Sequence, residues 1–319
     1  MTTVPAPAAT REALGPALIR LQRAGADIVV VDADLGKSTS ARAFKDAFPE
    51  RFFTFGVAEQ NMVSAAAGLA TLGSTVFATT FAVFAEHAFD QLRMSVAQPR
   101  MNVKVVASHG GVSTGEDGAS AQSIEDLALF SSLVNFSVVV PADIVEAEAV
   151  IDAAVAHDGP WYIRTGRPKL PVIYTEGARF RLGKADMLRD GRDLTIVACG
   201  LLVERSLRAA EALARDGVQA RVLNMATLRP LDVEALEAAA RETGAIVVAE
   251  EHLVHSGLGA MCAQALATRH PVPMEFVGVQ DRYGESGTWG EVLDIMGLNA
   301  AGVVDAARRV LARKRAGTR

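Results

Sequence analysis

The chain has 319 residues, half of them hydrophobic, with a charged share of 22% and a formal charge of -5. That length supports two domains with cores of their own, and the composition excludes a disordered chain. The mild negative charge excludes a phosphate-neutralising basic stripe and hence nucleic acid as a main partner, no apolar run approaches the roughly 20 residues of a membrane span, and two distant cysteines, Cys199 and Cys262, exclude a disulfide scaffold.

Residues 1–9 (MTTVPAPAA) lack the apolar stretch of a signal peptide and read as a loose lead-in, so a reducing, cytoplasmic setting is expected. Residues 27–32 (DIVVVD) predict a short buried strand. In 53–62 (FTFGVAEQNM) a strand-like run ends at a glycine, and Glu59 stands at the head of a helix predicted over 61–72 with Gly73 as its C-cap. A carboxylate there can bond a ligand's ring nitrogen, but spacing alone favours the blander role of complementing the helix dipole. Strand character returns at 74–80.

Phe81, Phe84 and His87 stand three residues apart within 79–93 (TTFAVFAEHAFDQLR), so on a helix they share one face. Core packing is the commoner cause of such spacing, and a stacking platform for a flat heterocycle the rarer one. A strand at 103–107 leads into the loop 109–122 (HGGVSTGEDGASAQ), whose four glycines let backbone approach a ligand closely. It is not a Walker loop, because no GKS or GKT follows. A strand at 136–140 and a helix at 144–156 complete an α/β alternation around a parallel sheet.

Pro, Gly and scattered charge between 170 and 192 weaken the pattern and mark a domain boundary. A second series follows, with strands at 194–198, 220–224 and 245–249 and helices at 203–216, 233–243 and 257–268. The expected fold is α/β in two domains, 1–172 and 193–319, each a largely parallel sheet flanked by helices, joined by a linker at 173–192. His252 and His255 (EEHLVH) lack both HExxH spacing and a third ligand, so they read as structural. HSGLGAMC carries GxG but has cysteine where a dinucleotide fingerprint needs glycine or alanine, which favours close helix packing over a nucleotide site.

Taken in order, GVAEQNM, TTFAVFAEHAFDQLR, HGGVSTGEDGASAQ and YIRTGRPKLPVIY, then EEHLVHSGLGAMCAQAL and DRYGESGTWGEVL, resemble the thiamine diphosphate-dependent transketolase family. The matching parts are its pyrimidine-binding and C-terminal domains. GVAEQNM and the start near TREALG look most like the two-chain transketolases, in which this portion is a separate subunit. The resemblance implies that Glu59 shares a proton with the aminopyrimidine nitrogen, which promotes the imino form that deprotonates the thiazolium. It also implies that Phe84 stacks on the pyrimidine, Phe81 lines the same pocket, and Asp34 and His87 lie close to the cofactor.

By the same resemblance, Arg11, Ser38, His109 and Arg167 hold a substrate's terminal phosphate, and Asp117 in GEDG bonds a substrate hydroxyl. A sulfonate fits the same cationic pocket. The chain departs from the family at Ala121, where a histidine is common, at Gly110, where many relatives are acidic, and at His87, where single-chain members stack a tyrosine. It contains no GDG, the motif that with a downstream asparagine holds the diphosphate through a divalent metal. The resemblance therefore places the diphosphate and its Mg2+ or Ca2+ on a separate pyrophosphate-binding N-terminal subunit, in an α2β2 heterotetramer with a homodimeric core. The implied activity is transfer of a two-carbon ketol unit from a phosphorylated ketose to an aldose. A deoxyxylulose phosphate synthase-like carboligase is the near alternative, disfavoured by His109, and a non-catalytic partner subunit is the alternative of another class.

Overall fold

The structure is a computed structural model that describes residues 6–317. Part of the expected lead-in, residues 1–5, lies outside that range. Within it, Ala8–Ala9 is not loose: it forms β1, paired antiparallel with β8 (Lys169–Leu170).

The first sheet has seven strands in the order β12 (Thr227–Arg229), β6 (Ser137–Val139), β7 (Trp161–Arg164), β5 (Val103–Ser108), β4 (Thr75–Phe81), β2 (Ile28–Asp32) and β3 (Phe52–Thr54). All pair in parallel except β12. β2, β4, β5 and β7 are buried along their whole lengths, which explains their largely apolar sequences: helices cover both faces. Val29, Val31, Ala78 and Val105 pack with Met62, Val63 and Ala66 of the helix Glu59–Ala70. On the opposite face Val30, Phe77 and Val106 pack with Leu14 and Leu18 of Leu14–Arg23 and with Val150 of Ile144–Ala156. The helix Glu59–Ala70 starts two residues before the predicted 61–72 and is capped at Thr71, while Gly73 makes the left-handed turn beyond it.

The second sheet runs β14 (Met274–Val279), β13 (Ile246–Leu253), β10 (Leu194–Ala198), β11 (Ala220–Asn224) and β9 (Asp186–Arg189). β9 lies inside the segment expected as a linker and pairs antiparallel with β11. Four half-exposed residues carry no apolar run to announce a strand; pairing with β11 satisfies their backbone instead. Leu202–Arg215 and Ala300–Gly317 cover one face, and Val233–Thr243 and Leu258–Ala267 the other.

The halves are interlocked. β12 comes from the C-terminal half yet completes the first sheet beside β6. One apolar cluster also runs unbroken from Val31 and Val105 to Val197, Leu236 and Leu258. No helix among the described residues is long and apolar enough to cross a membrane.

Candidate active site

After β2 the chain passes outward to β3 and then returns to β4 on the other side of β2. Such a reversal opens a crevice at the carboxyl ends of the strands. Asp32 closes the first loop there. Its carboxylate accepts from the N–H of Leu35 (3.0 Å) and Gly36 (3.1 Å) and from the Thr79 hydroxyl (2.9 Å). Burial raises its pKa, against the pull of those hydrogen bonds. Asp34, the residue singled out in the sequence, sits exposed on the crest of the loop with a left-handed φ of 65°. The aspartate that builds the loop is thus Asp32, two residues earlier.

Glu59 is the first residue of its helix and is only 5% exposed. Its Oε2 lies 3.6 Å from Nδ1 of the exposed His87, longer than a hydrogen bond. Gln60 ties this helix to the same place by donating to the His87 carbonyl (3.1 Å).

Phe81, Phe84 and His87 do not share one helix. Phe81 ends β4, Phe84 lies in the single turn Ala82–Ala85, and His87 in the following turn Glu86–Ala88. Their rings nonetheless form a row. His109 and Phe81 stack with centroids 3.8 Å apart, Phe81 and Phe84 are nearly parallel at 5.6 Å and 8°, and Phe84 and His87 are 5.9 Å apart. The row ends beside the Glu59 carboxylate. A buried carboxylate at the end of a row of aromatic rings suits a flat, protonatable heterocycle.

At the other end of the row, His109 is buried with a left-handed φ of 60°, and its carbonyl accepts from the Thr114 hydroxyl. Burial pushes its pKa down to about 3, with Arg11 and Arg167 adding repulsion, so the ring is neutral. Arg11 Nη1 lies 3.4 Å from Nε2 of His109 and can only donate, so Nε2 accepts and Nδ1–H faces the Ser108 hydroxyl at 2.8 Å.

Arg11 also donates to the Ser38 carbonyl (2.7 Å). Burial lowers its pKa, Glu12 opposes the shift, and the nearby Arg167 adds to it. Two guanidiniums brought near each other offer donors to an anion. Arg167 Nη1 donates to the Thr114 carbonyl (2.5 Å) and lies 3.3 Å and 3.4 Å from the carboxylates of Glu116 and Asp117. Arg11, Ser38 and His109 thus form one contact group, with Arg167 and Asp117 in a second beside it.

Sequence reasoning passed over a buried network beneath these residues. Arg164 ends β7 with Nε 3.1 Å from Asp126 and donates to the carbonyls of Glu251 and Ser123 (2.9 Å each). Tyr162 donates to the same Asp126 oxygen (2.6 Å), and Glu251 accepts from the Ser113 N–H (2.5 Å). The network accounts for Gly110: a Cβ there would lie 1.9 Å from Arg164 Nε. A second omission is Glu86, which accepts from the Ser123 hydroxyl (2.7 Å) and whose pKa is pushed to about 8, mainly by burial. An arginine closing an apolar strand, YIR, and an acid inside an aromatic run were the available signals.

His252 is buried and accepts from the Ala128 N–H (3.3 Å), a structural role. HSGLGAMC opens a helix whose first N–H groups, at Leu258 and Gly259, are capped by Glu250. A Cβ at Gly257 would lie 2.0 Å from that carboxylate, so the glycines serve close packing. Among the described residues no group of three or more His, Cys, Asp and Glu side chains is placed to hold a metal ion.

The transketolase pyrimidine-binding domain family matches residues 6–172, and the transketolase C-terminal domain family matches residues 183–303. A 6-deoxy-6-sulfo-D-fructose transketolase subunit, SqwH, of Clostridium sp. is 41% identical over 288 residues, spanning 90% of this chain and 89% of its own length. Human transketolase is 36% identical over 307 residues, spanning 95% of this chain but only 49% of its own length. A solved split-gene transketolase, described as an inactive β4 tetramer, superposes with a TM-score of 0.90 at 47% identity, spanning 96% of this chain and 99% of that one.

Proposed function

Because the chain belongs to the transketolase family, we propose that it is the pyrimidine-binding and C-terminal subunit of a split transketolase, moving a two-carbon ketol unit between phosphorylated sugars together with a separate diphosphate-binding subunit. The observation that carries this reading is Glu59, a buried carboxylate at a helix head, 3.6 Å from the His87 that ends the row of rings through Phe84 and Phe81.

These residues fit the pyrimidine end of thiamine diphosphate. Phe84 is assigned to stack on the ring and Phe81 to line the same pocket, and Glu59 offers an acceptor that can hold a proton at a ring nitrogen. Among the described residues no group of three or more His, Cys, Asp and Glu side chains is placed to hold a metal, and the metal and anchoring groups of the diphosphate end are assigned to the partner subunit. When bound, the cofactor supplies a carbon acid and an electron sink for carbon–carbon bond cleavage. The protein's part is to fix the protonation state of the ring through Glu59 and to orient the sugar.

Arg11 and Arg167 are assigned to the anionic end of the sugar. His109 is neutral, so it acts there as a hydrogen-bonding group and not as a cation. Asp117 is assigned to a sugar hydroxyl, with Arg167 holding its carboxylate in place. The likeness to the sulfo-fructose transketolase subunit makes a sulfonate the second anion to test.

The deciding experiment is Glu59→Gln in the complex reconstituted with the diphosphate-binding subunit. Turnover of ketose phosphates should fall at least about a hundredfold, the scale of a lost acid–base group, with the unfolding midpoint unchanged. Near-normal turnover in that variant would falsify the assignment.

A further inference from the structure

The loop that carries Asp117 is held from the second domain. Glu251 of β13 takes the Ser113 N–H, and the Leu253 N–H donates to the Ile124 carbonyl. Between those points lies the turn Gly115–Asp117, whose φ of 78° at Gly115 and 77° at Gly118 commit both positions to glycine. A Cβ at Gly115 would lie 3.1 Å from the Trp289 nitrogen, and one at Gly118 would lie 2.4 Å from the Ser286 hydroxyl. The 284–289 segment of the second domain therefore lies flush against this turn.

Gln122 joins the two. Its Nε2 donates to the Val112 carbonyl (3.2 Å) at one end of the loop and to the Glu285 carbonyl (2.9 Å) in the second domain. Both partners are acceptors, so the orientation of the amide is unambiguous. Its Oε1 is buried and has no hydrogen-bond partner among the described residues. A side-chain amide this confined is a rigid strut between domains. Gly284 is the position that makes room for it, since a Cβ there would lie 1.7 Å from Oε1 and 2.8 Å from Cδ.

We propose that Gln122, seated against Gly284 and Glu285, is a positioning residue through which the C-terminal domain sets the sugar-recognition loop and so tunes substrate affinity. The proposal rests on the assignment of Asp117 to the sugar. It gives the second domain a stated role in recognition, although that domain supplies none of the assigned cofactor or sugar contacts.

The test uses the full chain. Gly284 has no positive φ, so alanine suits its backbone, and the atoms nearest the added methyl all belong to the Gln122 amide. Gly284→Ala should speed amide hydrogen exchange across 113–122 and leave exchange in the strands of both sheets unchanged. In the reconstituted complex it should raise KM for xylulose 5-phosphate and fructose 6-phosphate about three- to tenfold, with kcat and cofactor affinity within about twofold of the parent. Gln122→Ala should do the same, and the double variant should be no worse than Gln122→Ala alone, because both changes act through one strut.

Unchanged exchange at 113–122 in Gly284→Ala overturns the proposal. Additive effects in the double variant overturn it too. Faster exchange with KM unmoved leaves the strut standing and overturns the assignment of this loop to the sugar.

Discussion

Glu59 and Arg164 are both charged, both almost inaccessible, and both sit at the carboxyl side of the first sheet, yet they are partnered in opposite ways. Arg164 meets Asp126, the Glu251 carbonyl and the Ser123 carbonyl within the protein. Glu59 has the imidazole of His87 at 3.6 Å, on the exposed side. Burial is therefore a poor marker of a site. The useful distinction is whether the protein places an opposite charge against the buried group. Where it does, as Asp126 does for Arg164, the group holds domains together; where it does not, as at Glu59, the group is poised for a molecule from outside.

The comparison breaks first at Arg164. Arg164→Met should cost about 3–5 kcal/mol in denaturant unfolding, because Asp126 is left buried with its counter-charge gone. A loss below about 1 kcal/mol would remove Arg164 from the structural class. Next comes Arg167, which falls between the two: it is only partly buried, and the carboxylates beside it, Glu116 and Asp117, are themselves exposed. Arg167→Ala should raise KM for ketose phosphates about tenfold with little change in unfolding. If a sulfonated ketose responds and the phosphates do not, the anion has been misassigned.

The smallest expected effect sharpens the comparison at Glu86, which belongs to neither class cleanly. Its pKa is raised in the folded chain to about 8, from an unfolded value near 4.5. Its contribution to stability is full below the unfolded value and is lost as pH rises through about 8. Glu86→Gln stays neutral and keeps an acceptor for Ser123. The variant should match the parent near pH 5 and melt about 2–4 °C higher near pH 9. Equal melting at both pH values would mean that the carboxyl is already ionised at neutral pH.

Much of this architecture is readable from residue order. The runs DIVVVD, VKVVA and LTIVA do not alternate apolar with exposed polar residues because both faces of each sheet are covered, and that is a local signal. β9 and β12 are not readable in that way. DMLR and TLR are too short to show a period, and their pairing is decided by strands far away in the chain. The same division holds in the site. Glu59 and the two phenylalanines are carried by motifs. The part Asp32 plays in building its loop, and Arg164 as the reason for Gly110, depend on which groups meet in space. Spacing along a chain carries no information about such meetings.

β12 also bears on how the chain can be made. On the ribosome, β2 to β7 emerge well before Thr227–Arg229, so β6 waits as an unpaired edge while much of the second domain is synthesised. An open edge is a template for pairing with other chains. A fragment cut between the two matched domains would keep that edge permanently. The nascent chain passes through the same state at every round of synthesis, so the hazard is greatest before Arg229 clears the exit tunnel.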